Sequence, residues 1–83
     1  MNESQIMEAV AEVIRDVLDL PTLKVDRDTT AEQTEGWDSL NHIRLVVVLE
    51  KQFGIKFRTA EIESLRNVGE LVSLIGQKLH AKG

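Results

Sequence analysis

The stretch of this chain whose residue types and spacing suggest chemistry is Gly36-Trp37-Asp38-Ser39-Leu40. Asp38 and Ser39 stand where an irregular segment gives way to an apolar, helix-periodic one. That placement puts the Ser39 hydroxyl in a first helical turn, where backbone N–H groups lack partners and the helix dipole is positive. An anion such as a phosphodiester on that oxygen is well placed electrostatically. Asp38 can accept hydrogen bonds from the first-turn amides and fix where the helix begins. A plainer account stays open beside this one. Asp and Ser start helices whatever their function, so the pair can be a cap and nothing more. Nucleophilic catalysis fits less well, since the G-x-S-x-G elbow needs a glycine after the serine and none is there. His42 lies three residues on, but no acid is placed to orient it, and it reads as a solvated surface residue.

Other chemistries find few residues to work with. The chain has no cysteine, and its two histidines, His42 and His80, are isolated, so neither a disulfide nor a clustered metal site is expected. The 83 residues are enough for one domain, taken as 1–83, with one modest core. Only 4% are aromatic, so Leu, Ile and Val must build that core. No segment approaches the run of about 20 apolar residues that crosses a bilayer. Met1-Asn2-Glu3-Ser4 lacks the basic start of a signal peptide, and a cytoplasmic location is expected. Net charge is −4 and unevenly spread. Residues 1–38 carry ten acids and three bases, whereas residues 39–58 carry Arg44, Lys51, Lys56 and Arg58 against Glu50 alone. An acidic first half offers little to a nucleic acid or an anionic membrane.

The positioning elements read as helices. Ile6, Val10, Val13, Ile14, Val17 and Leu18 form a stripe over about Glu3 to Leu18, with Asn2 and Gln5 as a capping box and Leu20-Pro21 as the stop. Residues 21–38 show no period and form a long loop, with Leu23 and Val25 as candidate anchors. The second segment runs from Asp38-Ser39 to Phe53, with Gly54 as C-terminal cap. Its apolar set is broad (Leu40, Ile43, Leu45 to Leu49, Phe53), which predicts a helix buried on most sides. Three consecutive valines also suit a strand; the Asp cap, Gly54 and polar Glu50-Lys51-Gln52 favour helix. Beyond the extended Ile55-Lys56-Phe57, Thr59 can cap a short helical turn holding Ile62 and Leu65. Asn67 and Glu70 match a capping box for a last helix with Val68, Leu71, Val72, Ile75 and Leu79 as its stripe. Lys78 and Lys82 lie near its negative end. The expected fold is all-α, a small four-helix bundle of three longer helices and one short one.

Gly36-Trp37-Asp38-Ser39-Leu40-Asn41-His42-Ile43 opens a run that continues through Leu49-Glu50 and Phe53-Gly54-Ile55 to Thr59-Ala60-Glu61-Ile62 and Asn67-Val68. That run resembles the acyl carrier protein family, and the likeness covers nearly the whole chain. The resemblance implies that Ser39, flanked by Asp38 and Leu40, receives 4′-phosphopantetheine from coenzyme A. A phosphopantetheinyl transferase would attach it, and the arm's thiol would carry acyl intermediates as thioesters. The sulfur of a cysteine-free domain is then imported. The domain would present cargo rather than catalyse, raising its effective concentration at partner sites. Implied partners are an acyl-activating ligase or acyltransferase and a ketosynthase or other acyl-using enzyme of fatty-acid, polyketide or related biosynthesis, met by a monomer. Trp37, Asn41, Arg44 and Val47 are the implied partner contacts. Val46, Val47, Phe57, Ile62, Leu65, Val68 and Leu71 are the implied acyl-pocket lining. Each of these can equally be an ordinary core or anchoring residue.

The chain departs from the family pattern in one respect. Fatty-acid carriers usually have a strongly acidic second helix that docks on basic patches, whereas here Asn41 follows Leu40, and Arg44 and Lys51 replace expected acids. Like charges at such a contact repel, which is one way to set partner choice. With Trp37 before Asp-Ser-Leu, this points to a specialised carrier. A peptidyl, aryl or D-alanyl carrier would use the same serine. An unmodified helical adaptor is the rival from another class.

Overall fold

In the computed structural model, which describes residues 2–82, four helices follow one another: α1 (Glu3–Leu18), α2 (Ser39–Phe53), α3 (Thr59–Ser64) and α4 (Val68–Lys82). No strand occurs among the described residues, and the triple valine lies within α2. The expected all-α bundle of three longer helices and one short one is what forms.

Local chemistry sets most helix ends. At the head of α1, Asn2 Oδ1 accepts from the Gln5 amide and Gln5 Oε1 accepts from the Asn2 amide, both at 2.9 Å. The far end of α1 differs from expectation. Asp19 adopts the left-handed conformation (φ 56°) and donates its N–H to the Arg15 and Asp16 carbonyls, closing the helix before Leu20-Pro21 is reached. Asp tolerates that conformation better than most residues because its short polar side chain bonds locally. Gly54 closes α2 in the same conformation (φ 66°). In α3, Arg58 takes the cap position rather than Thr59, its N–H donating to Glu61 Oε1 at 2.7 Å. Leu65 falls just past α3, in extended conformation. At α4, Asn67 Oδ1 accepts from Glu70 N–H, while the Glu70 carboxylate reaches back to Arg66 N–H, one residue before the cap.

The core is aliphatic. Ile6, Val10, Val13 and Ile14 of α1 meet Leu45, Leu49 and Phe53 of α2 and Val68, Leu71, Val72 and Ile75 of α4, with Ile55 from the connection. α1 packs on both α2 and α4. Each such side chain stabilises the fold by about 1.5–3 kcal/mol relative to exposure. The Cα radius of gyration is 11.7 Å.

The long loop is tied at several points. Leu23 and Val25 pack against the core as expected, and Arg15 Nε donates to the Leu23 carbonyl at 2.7 Å. Further on, the Thr29 and Arg27 carbonyls accept from the Val68 and Gly69 amides, each at 2.9 Å. These loop oxygens satisfy first-turn donors of α4 that the helix cannot. The approach is close enough that a Cβ on Gly69 would lie 3.1 Å from the Arg27 oxygen, so this position favours glycine. Arg27 also pairs with Glu3 across the loop.

α2 is not buried on most sides. Leu45, Val46, Leu49 and Phe53 are buried, but Leu40, Ile43, Val47 and Val48 are exposed. A broad apolar set requires many covering neighbours, and six-residue α3 is too short to supply them all along α2. Lys78, expected to serve the dipole of α4, instead pairs with Glu61 at 2.8 Å and sits 5.8 Å from the Phe57 ring centre. The Lys82 side chain lies outside the described residues.

Candidate functional site

Ser39 is the first residue of α2 and is exposed. Asp38 precedes it in extended conformation and accepts from the Asn41 amide at 2.8 Å through Oδ1. The Asp38 carbonyl takes the His42 amide at 2.9 Å, so the helical ladder starts there. Among the described residues no hydrogen bond uses the N–H groups of Ser39 and Leu40. The result is an accessible hydroxyl with free first-turn donors beside it, on the positive end of a fifteen-residue helix.

The loop before the helix is fixed from both sides. Gly36 takes a positive φ of 83°, which a glycine accommodates without cost to a side chain. Asn41 Nδ2 donates to the Gly36 carbonyl at 2.7 Å, and Trp37 N–H donates to the Thr34 carbonyl at 3.2 Å. Thr34 is buried, its hydroxyl donating to the Thr30 carbonyl at 2.7 Å. Trp37 packs against the core and donates Nε1–H to His42 Nδ1 at 3.1 Å, the two rings tilted by 32°. His42 is therefore a half-buried partner of Trp37, not a solvated surface residue. Its Nδ1 is taken up as the acceptor of the tryptophan N–H.

A groove of about 600 Å³ runs beside Ser39 between α2 and α3. Asp38, Ser39, His42 and Ile43 form one wall, and Thr59, Ile62, Glu63 and Leu65 the other, with Trp37 and Ala31 at one end. Of the expected acyl-pocket residues, Ile62 and Leu65 line this groove. Leu65 and Leu71 also border a small cavity of about 30 Å³ under Trp37 and His42. Val46 and Val68 are buried in the core, and Phe57 packs on it beneath Lys78, so these three lie away from the groove. Sequence reasoning passed over His42 and Ile43 as lining residues. Their spacing of three and four from Ser39 was the available signal.

The expected partner contacts divide as well. Arg44 and Val47 are exposed on α2. Trp37 and Asn41 are half-buried, and both side chains are engaged in holding the loop. The α3 wall is braced from outside the groove. Hydrogen bonding from Lys78, and then from the Arg58 amide, holds the Glu61 carboxyl below its ordinary range.

Against this geometry, the comparisons with known proteins agree. The family described as a phosphopantetheine attachment site matches residues 8–75. An acyl carrier protein from Thermosynechococcus vestitus is 31% identical over 81 residues, covering 98% of this chain and 100% of that one. One from Guillardia theta is 32% identical with the same coverage. The solution structure of a holo acyl carrier protein from Geobacter metallireducens matches with a TM-score of 0.85 at 38% identity, over 92% of this chain and 87% of that one. The chain belongs to the acyl carrier protein family, whose members are non-catalytic carriers bearing covalent 4′-phosphopantetheine. That family interacts with phosphopantetheinyl transferases and acyl-using enzymes in general. No helix among the described residues is long and apolar enough to cross a membrane.

Proposed function

We propose that residues 1–83 act as one cytoplasmic, monomeric carrier domain that takes 4′-phosphopantetheine on the Ser39 hydroxyl. The observation that carries this reading is the exposure of Ser39 at the first position of α2, directly after the Asp38 cap. When bound, the group supplies the thiol that holds an acyl cargo as a thioester. The residues of the chain do the rest. Asp38 fixes the start of the helix, and with it the direction in which the serine oxygen points. The Ser39 and Leu40 amides offer donors to an anion there. Ile43, Ile62 and Leu65 give an apolar flank along the groove. None of these residues needs to move a proton, which suits a site that presents substrate rather than transforms it.

The finer role is a specialised carrier, loaded by its own acyl-activating ligase or acyltransferase. It would serve a polyketide, peptide or lipid-modifying pathway rather than housekeeping fatty-acid synthesis. Exposed Arg44 and Lys51 on α2 support this, because they would oppose a basic docking patch. Incubation with coenzyme A and a broad-specificity phosphopantetheinyl transferase, followed by intact-mass measurement, tests the attachment. Wild type gains one arm and Ser39→Ala gains none. An unchanged wild-type mass under an active transferase would favour the unmodified adaptor. Support of fatty-acid elongation on a par with a housekeeping carrier would remove the specialised role.

A further inference from the structure

Helix α2 turns four large apolar side chains to solvent: Leu40 and Ile43 are each 59% exposed, Val47 41% and Val48 38%. Leu40, Ile43 and Val47 stand three and four residues apart and share one face, which Arg44, Val48 and Lys51 extend by the same spacing. It lies opposite the buried Leu45, Leu49 and Phe53. An apolar strip of this length with charged edges is how a helix seats in a partner's groove. The edge charges are of one sign. Arg44 and Lys51 are exposed and form no ion pair among the described residues. Glu50, the only acid between residues 39 and 58, turns its carboxylate to the Phe57 amide at 2.8 Å.

We propose that this face docks a protein partner whose complementary surface is an apolar groove rimmed by aspartate and glutamate. The proposal rests on the carrier reading and deepens it, since the strip begins at Leu40, the neighbour of Ser39. Charge selects this occupant over two others. A second copy packed strip against strip would bring Arg44 and Lys51 against their own kind. A flat anionic membrane would press on the acids of the adjoining loop, Glu32, Glu35 and Asp38, as well as on the two cations, whereas a groove the width of one helix meets the strip with Arg44 and Lys51.

The test titrates isotope-labelled, unloaded protein with two carrier-dependent ketosynthases, one with an acidic and one with a basic docking rim, and follows amide shifts. Unloaded protein reads the surface whether or not Ser39 accepts an arm. With the acidic-rimmed enzyme the shifts fall on Leu40, Ile43, Arg44, Val47 and Lys51. Its dissociation constant is about tenfold below that of the basic-rimmed enzyme. The double variant Arg44→Glu/Lys51→Glu reverses that preference while keeping the helical circular dichroism of wild type, and high salt shrinks the difference in both proteins. Val47→Ser weakens binding to the acidic-rimmed enzyme severalfold. Equal affinities, or shifts centred on α1 or α4, would overturn the proposal. So would dimerisation through this face in sedimentation, or binding to phosphatidylglycerol vesicles that the double reversal abolishes. Charge-selective docking by a protein that never gains an arm would sink the carrier reading alone; full loading without charge preference would sink only this one.

Discussion

Replacing Asp38 with alanine removes one hydrogen bond, from the Asn41 amide to Oδ1 at 2.8 Å, and one negative charge at the positive end of α2. Loss of the cap costs about 1 kcal/mol, and loss of the charge about 0.3–1 kcal/mol more at low salt. For a domain of this size the sum lowers the melting temperature by roughly 5–16 °C. Asp38→Asn separates the two terms. Asparagine caps as well as aspartate, so only the charge is lost, and the fall is about 1–8 °C, always smaller than that of the alanine variant. Both variants are followed by thermal circular dichroism and by the time course of arm addition in intact mass. Asp38→Ala slows loading, because the first turn frays and the Ser39 oxygen loses its fixed direction. Asp38→Asn loads faster than the alanine variant. If asparagine melts as low as alanine, or alanine melts with wild type, Asp38 does not set the start of the helix and the positioning argument fails.

Two further outcomes follow from contacts around the groove. His42→Leu leaves Trp37 Nε1–H without its acceptor, at a cost of about 1 kcal/mol in urea unfolding, and shifts the emission of the chain's single tryptophan. Unchanged emission and midpoint would show that the pair does not hold the loop. Glu61 concerns acid. Its folded carboxyl titrates below the ordinary glutamate range, so its contribution is whole above that range and is lost as pH falls through the lowered value. The Arg58 amide, which donates to Glu61 Oε1, should therefore hold its shift through the ordinary glutamate range and drift only at lower pH, and Glu61→Gln should remove that late drift. A drift of this amide within the ordinary range would contradict this.

Helices α1, α2 and α4 were legible where side chains near in sequence do the work. Asn2 with Gln5, Asp38 with the α2 amides, and Asn67 with Glu70 act over three or four residues, and their spacing is visible in the string. The serine at the head of α2 was legible for the same reason. The left-handed stop at Asp19 was not, because glycine is the usual signal for that conformation. Nor was the exposed face of α2. Periodicity tells which side chains are apolar, whereas exposure depends on which neighbours are long enough to cover them, and α3 is not. The Trp37–His42 bond could have been suspected only by asking what a tryptophan N–H in a loop would find. The ties from Arg27 and Thr29 to α4 join segments distant in the chain and leave only one local mark, the glycine at position 69.

Those last ties have a consequence for how the protein is made. The loop carbonyls of Arg27 and Thr29 are clasped to a helix synthesised well after them, so this part of the loop is secured only once α4 has docked. Non-local contacts of this kind close late, because the chain between them must first give up its freedom. That stretch of the loop is thus fastened only in the finished fold, while the cap at Asp38 depends on residues beside it in the chain.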